Sequence, residues 1–222
     1  MVSIIKGIRK QCVIILTCFA SLVFGLFFGA ISSEAASNRA IGFYRTDFYS
    51  GIAITGPARF SSILGYSSAT YKNSSVSNWK SKTQNSKVEF IHSHGDYGKF
   101  SLASGVWITG KNIQNMSFTN KPKLVYISAC DTGNGSAENG NVGQALVNKG
   151  VKAVVAFKGK IVATTSTNGI HRFNLKVAHK LTYNHYNLSV SLILAKGEIY
   201  QEDNRYWGTD HLIVYGDGSI TF

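Results

Sequence analysis

Cysteine and acidic side chains are both in short supply in this chain of 222 residues, and each shortage narrows what it can be. Of three cysteines, Cys12 and Cys18 sit in an amino-terminal stretch that carries no charge from Gln11 to Ser33. Lys6, Arg9 and Lys10 precede that stretch and Ser33-Glu34-Ala35 closes it, the layout of an export signal cut near Ala36. Its length also approaches the roughly 20 residues that span a bilayer, so an uncleaved anchor is the alternative. Residues 1–35 are therefore read as a signal peptide or membrane anchor, and 36–222 as one domain, secreted or membrane-anchored, outside the cytoplasm. Leu16-Thr17 lacks the small residue expected before a lipid-modified cysteine, which argues against a lipoprotein. Once residues 1–35 are set aside, Cys130 stands alone. No intrachain disulfide is then possible, and a lone thiol is either inert packing or kept for its reactivity.

Lysine and arginine number 23 against 11 aspartates and glutamates. That balance suits anionic surroundings such as a cell-wall polymer, a membrane surface or an acidic substrate. The cations are scattered along the sequence rather than clustered, so nucleic acid is not an expected partner. Internal repeats are also missing. About 185 residues remain after the first segment, enough for one domain with a full core.

What is present is a series of apolar runs separated by polar connections. Ser37 to Tyr71 predicts short strands and one short helix near Ala58 to Leu64, and Lys72 to Lys87 reads as a polar surface segment. Strands are expected at Val88 to His92, Lys123 to Ala129 and Val151 to Phe157, with a hairpin of Lys99 to Ala103 and Val106 to Thr109 around Ser104-Gly105. The Gly- and Asn-rich run Asp131 to Asn141 reads as a flexible loop, followed by a helix ending at Gly150. Ser166 to Leu181 carries Ile170, Phe173, Val177 and Leu181 on one helical face, and Asn187 caps a second helix. His211 to Tyr215 and Ser219 to Phe222 suggest a terminal hairpin around Asp217-Gly218. Strands alternating with helices imply a mainly parallel sheet covered by helices.

Two polar motifs follow strand-like runs. His94-Gly95 comes after Val88-Glu89-Phe90-Ile91, and Cys130 comes after Leu124-Val125-Tyr126-Ile127. The carboxyl ends of parallel strands face a common crevice, and an imidazole meeting a thiol there is the minimum for nucleophilic catalysis. His94-Gly95, then Ser128-Ala129-Cys130-Asp131-Thr132-Gly133, then Gly143 to Val155, resemble the CHAT family of caspase-like (clan CD) cysteine peptidases, over roughly Val88 to Tyr200. The resemblance implies a caspase-like α/β fold, a mainly parallel sheet flanked by helices, and a protein or peptide substrate. It further implies Cys130 as nucleophile, His94 as its base, and the backbone N–H groups of Gly95 and Cys130 as oxyanion donors, with no cofactor. Lys158-Gly159-Lys160 stands where the family often has an aromatic residue and a proline, so the substrate-facing loop departs from the pattern. Asp131 could attract a basic substrate residue or simply order the turn after Cys130.

Other readings compete. His92 and His94 lie two apart on a strand and could face one metal ion, with Asp96 nearby. Against this, Ser104 stands where a JAMM-like site needs its acid after Ser101, and Tyr97 where a metallo-β-lactamase needs histidine. His171, His179, His185 and His211 read as helix-surface or strand residues. A folded but inactive binding module at the cell surface is the remaining class.

Overall fold

In the computed structural model, residues 38–47, 50–162 and 169–222 are described, so the expected signal or anchor at 1–35 lies outside them. Nine strands are described: β1 (Arg39–Tyr44), β2 (Ser67–Lys72), β3 (Val88–His92), β4 (Gly95–Asp96), β5 (Lys99–Ala103), β6 (Val106–Thr109), β7 (Leu124–Ser128), β8 (Ala153–Phe157) and β9 (Leu212–Gly216). The helices are α1 (Ile52–Leu64), α2 (Val76–Thr83), α3 (Gly110–Gln114), α4 (Val142–Asn148), α5 (Ile170–Thr182) and α6 (Leu188–Asp203). The main sheet runs β2-β1-β3-β7-β8-β9. Its first five strands are parallel and β9 is antiparallel to β8. A small antiparallel sheet, β4-β5-β6, grows from the end of β3.

The three central strands are buried along their whole length, which is why they read as unbroken apolar runs rather than alternating ones. Alternate residues serve two cores. Val88, Phe90, Leu124 and Tyr126 join Phe60, Phe173, Val177 and Leu192 from α1, α5 and α6. Ile91, Val125 and Ile127 join Trp79, Phe100, Val142 and Leu146 on the other face.

Three expectations need correction. The first helix starts at Ile52, six residues before Ala58, and runs through Pro57. Proline has no N–H for the carbonyl of Ala53, and that carbonyl lies against Gly42 of β1, where any Cβ would overlap it. Lys72 to Lys87 holds α2, whose polar sequence conceals two buried residues, Trp79 and Thr83, behind a Ser75 cap that accepts from Asn78 N at 3.2 Å. Beyond β9 there is no hairpin; the chain instead crosses the start of α6. Leu188 N donates to Ile220 O at 2.9 Å and Ser189 N to Gly218 O at 2.9 Å, which satisfies N–H groups a helix start leaves unpaired.

The remaining elements follow expectation within a few residues. The Asp131 to Asn141 run has its own bonds: Ser136 and Gly140 pair with each other, and Asn139 Nδ2 donates to Tyr97 O at 3.0 Å. No described helix is long and apolar enough to cross a membrane.

Candidate active site

β3 and β7 are neighbours in register, with His92 opposite Ser128. His94 and Cys130 each lie two residues beyond that pair, so parallel strands about 4.8 Å apart deliver both to the same end of the sheet. Gly95 tightens the approach. A Cβ built on it would fall onto the Cys130 carbonyl oxygen and within 2.9 Å of both Cys130 N and Thr132 Cγ2, so only glycine lets these backbones meet.

The thiol is half-buried. Ile161 N donates to Cys130 Sγ at 3.4 Å, and the thiol lies 3.8 Å from Ile161 O as a donor. Asp131 follows in a left-handed conformation, φ 56°. Its backbone N donates to Gly159 O at 3.1 Å, and its Oδ1 accepts from Asn134 Nδ2 at 3.1 Å. Thr132, fully buried, donates to Ala129 O at 3.0 Å, and Gly133 N donates to Phe157 O at 2.8 Å. These bonds clamp the cysteine turn to the ends of β7 and β8. Lys158 and Lys160 are exposed beside it, and Gly159 leaves room for the His211 ring, whose Cδ2 would lie 2.7 Å from a Cβ there.

His94 is exposed at the opposite lip. Its imidazole lies close enough to Asp47 to help hold that carboxyl below its ordinary pKa, an effect led by the hydrogen bond from Arg45. Arg45 also donates to Ser101 Oγ at 2.9 Å.

Beneath the pair lies a polar network that the sequence did not announce. Tyr126 OH donates to Asn174 Oδ1 at 2.6 Å, Asn174 Nδ2 donates to Ser128 Oγ at 2.9 Å, and Ser128 Oγ is 2.9 Å from His92 Nδ1. The Ser128 hydroxyl carries two lone pairs and one proton, so accepting from Asn174 leaves it free either to accept from His92 Nδ1 or to donate to it, according to the imidazole tautomer. Burial, reinforced by the charge of His171 and opposed by a hydrogen bond to the Ser128 backbone, pushes the His92 pKa down to about 3. His171 is buried against Gly51 and His92 rather than on the surface of its helix, and burial lowers its pKa too.

His92 and His94 therefore do not face one ion: the first is fully buried and bonded to Ser128, the second exposed. Among the described residues no group of three His, Cys, Asp or Glu side chains is arranged to hold a metal.

This architecture has known counterparts. The Arg-specific cysteine proteinase gingipain R superposes with a TM-score of 0.65 at 14% identity, over 83% of this chain and 47% of its own. Separase, in a Saccharomyces cerevisiae separase–securin complex, gives a TM-score of 0.55 at 14% identity, over 82% of this chain and 12% of its own. The chain thus spans about half of the gingipain and a small part of separase, and at such identity the likeness is one of fold. No curated protein matches the sequence. The fold is the caspase-like α/β fold of cysteine peptidases, a mainly parallel sheet flanked by helices. The CHAT domain model matches residues 57–214, most of the chain, and the protein belongs to the CHAT family.

Proposed function

We propose that the domain is an exported cysteine peptidase acting on protein or peptide substrates through Cys130 and His94. The observation that carries this reading is the contact of the Gly95 backbone with that of Cys130, at the shared end of two paired strands. His94 would take the thiol proton, Sγ would attack the carbonyl carbon, and the N–H groups of Gly95 and Cys130 would stabilise the developing oxyanion. Collapse would expel the amine, with the proton returned by the imidazolium, and water would then attack the thioester carbonyl and break its C–S bond, releasing the carboxylic acid and restoring the thiol. The Ile161 N–H that donates to Cys130 Sγ would favour the thiolate over the thiol. Asp131, half-buried beside the thiol with one oxygen bonded to Asn134, is the candidate contact for a basic substrate residue.

The test is labelling of the purified protein with a thiol-directed electrophile across pH, in wild type, His94→Ala and Cys130→Ala. Labelling that is rapid at mildly acidic pH, centred on Cys130 and slowed by about tenfold or more without His94 is expected, since general-base assistance contributes on the order of a hundredfold or more. Slow labelling indifferent to His94, in a variant with an unchanged circular dichroism spectrum, would put the inactive binding module in its place.

A further inference from the structure

The amino ends of the parallel strands carry a second feature, at the opposite end of the sheet from Cys130. Lys87, Lys123 and Lys152 immediately precede β3, β7 and β8, which are adjacent in the sheet. Their backbones are stitched together: Lys123 N donates to Lys87 O at 2.7 Å, and Ala153 N to Lys123 O at 3.1 Å. The lysines are therefore spaced one strand apart, about 4.8 Å in the ladder direction. Lys121 lies beside them, against Gly150. The proximity of Lys87 contributes to holding the Lys123 ammonium below its ordinary pKa, after burial.

These cations differ from those between α5 and α6. There Arg172, Lys176 and Lys180 are paired with Glu198, Glu202 and Asp203. Among the described residues none of the four edge lysines forms a salt bridge, and Asp217 is the acid that Lys123 and Lys152 influence. Apolar side chains share this end. Tyr183 and Tyr186, 65% and 42% exposed, occupy the turn from α5 to α6, which His185 ties to Phe222 O at 3.0 Å. Val190 and Ile193 are exposed on the first two turns of α6. The chain also enters here: Asn38 O accepts from Ser67 N at 3.0 Å, and Asn38 Oδ1 from Lys87 Nζ at 3.1 Å.

We infer that this lysine edge, with its rim of tyrosines and the exposed start of α6, rests on an anionic lipid surface and turns the cysteine end away from it. Lys121 and Lys152 are exposed, and Lys87 and Lys123 are held by neutral partners, Asn38 Oδ1 and Thr221 O. Ammonium groups without a counter-acid match lipid phosphates, tyrosines suit the headgroup layer, and Val190 and Ile193 supply the shallow apolar contact that a soluble polyanion would not use. No residue of the proposed peptidase site takes part, so this inference and that reading fail separately.

The experiment incorporates the full chain into vesicles of phosphatidylcholine alone or mixed equally with phosphatidylglycerol, and reads a short pulse of non-permeant amine acylation by mass spectrometry. In the anionic vesicles Lys87, Lys121, Lys123 and Lys152 are expected to react about fivefold more slowly, the equivalent of ~1 kcal/mol per lysine at such a surface. Lys158 and Lys160, at the cysteine end, should react equally in both, and high salt should remove the difference. Equal rates at the edge lysines in the two vesicle types overturn the proposal. So does protection conferred by soluble polyglutamate but not by anionic lipid, which would make the partner an anionic polymer.

Discussion

A single hydroxyl holds together the floor of the candidate site. Ser128 Oγ accepts from Asn174 and meets His92 Nδ1, at the register pair from which both His94 and Cys130 project. Ser128→Ala removes one partner from each of two buried polar groups while leaving space for the backbone unchanged. Stranding a buried donor or acceptor costs about 1–3 kcal/mol, so the urea midpoint should fall by that equivalent. Thiol reactivity at Cys130 should also fall, because the ends of β3 and β7 lose a side-chain bond that supplements their backbone ladder; reactivity that stays at the wild-type rate would reduce the network to a purely structural one. Gly95→Ala probes the same place from above. Its Cβ would strike the Cys130 backbone, which cannot swing aside as a flexible side chain could. Loss of His94-dependent labelling is expected there, with the substitution costing stability as well.

Elements with a strong apolar signature were legible from the sequence: β3, β7 and β8 are buried on both faces and α5 carries a clean apolar stripe, and each lies within four residues of its expected bounds. Helix α2 was hidden because only Trp79 and Thr83 are fully buried, with Val76 half-buried against the same core, and its remaining residues look like a solvated connection. Its importance lies in a contact that periodicity cannot reveal, Trp79 Nε1 donating to Glu89 Oε1 at 2.7 Å beneath the sheet. The site divides in the same manner. His94, Gly95 and Cys130 stand in a recognisable local motif, whereas Asn174, the partner it gives Tyr126 of β7, and the buried role of His171 arise from helix α5 crossing the sheet far along the chain. Trp79→Phe tests α2. The loss should combine the small cavity left by the shorter ring with the weakened hydrogen bonding of the Glu89 carboxyl, which keeps Thr83 but loses Trp79, the latter costing about 1–3 kcal/mol. It should be greater at pH 8 than at pH 5, where Glu89 is protonated in the fold; a loss independent of pH would assign the effect to packing alone.

Across the whole molecule, two buried groups set opposing pH dependences. Burial, opposed by bonds from Trp79 and Thr83, raises the Glu89 pKa from 4.5 to about 7. Between those values the unfolded chain releases a proton that the fold retains, so stability falls as pH rises through that window and the loss persists above it, on the order of 3 kcal/mol. His92 acts in the other sense. Its pKa drops from 6.5 to about 3, so below 6.5 the unfolded chain binds a proton that the fold refuses, and stability falls as pH falls. Between about 4.5 and 6.5 the two slopes cancel, since one proton is released on unfolding and one taken up. The wild-type unfolding free energy should therefore run nearly level across that window, tilted only by the burial-lowered pKa of His171, and decline on either side. The acid limb is steepened by carboxylates such as Asp96 and Glu198, whose pKa values lie below the ordinary range through bonds to the Tyr97 backbone and Lys99, and to Lys180 and Lys176. Glu89→Gln removes one of the two opposing slopes and leaves the other. In that variant the level stretch should become a rise of about 1.4 kcal/mol per pH unit from 4.5 to 6.5, the value of one proton per molecule. Urea unfolding of both proteins at half-unit intervals measures it, and a variant profile as level as that of wild type would show that Glu89 and His92 do not carry the balance.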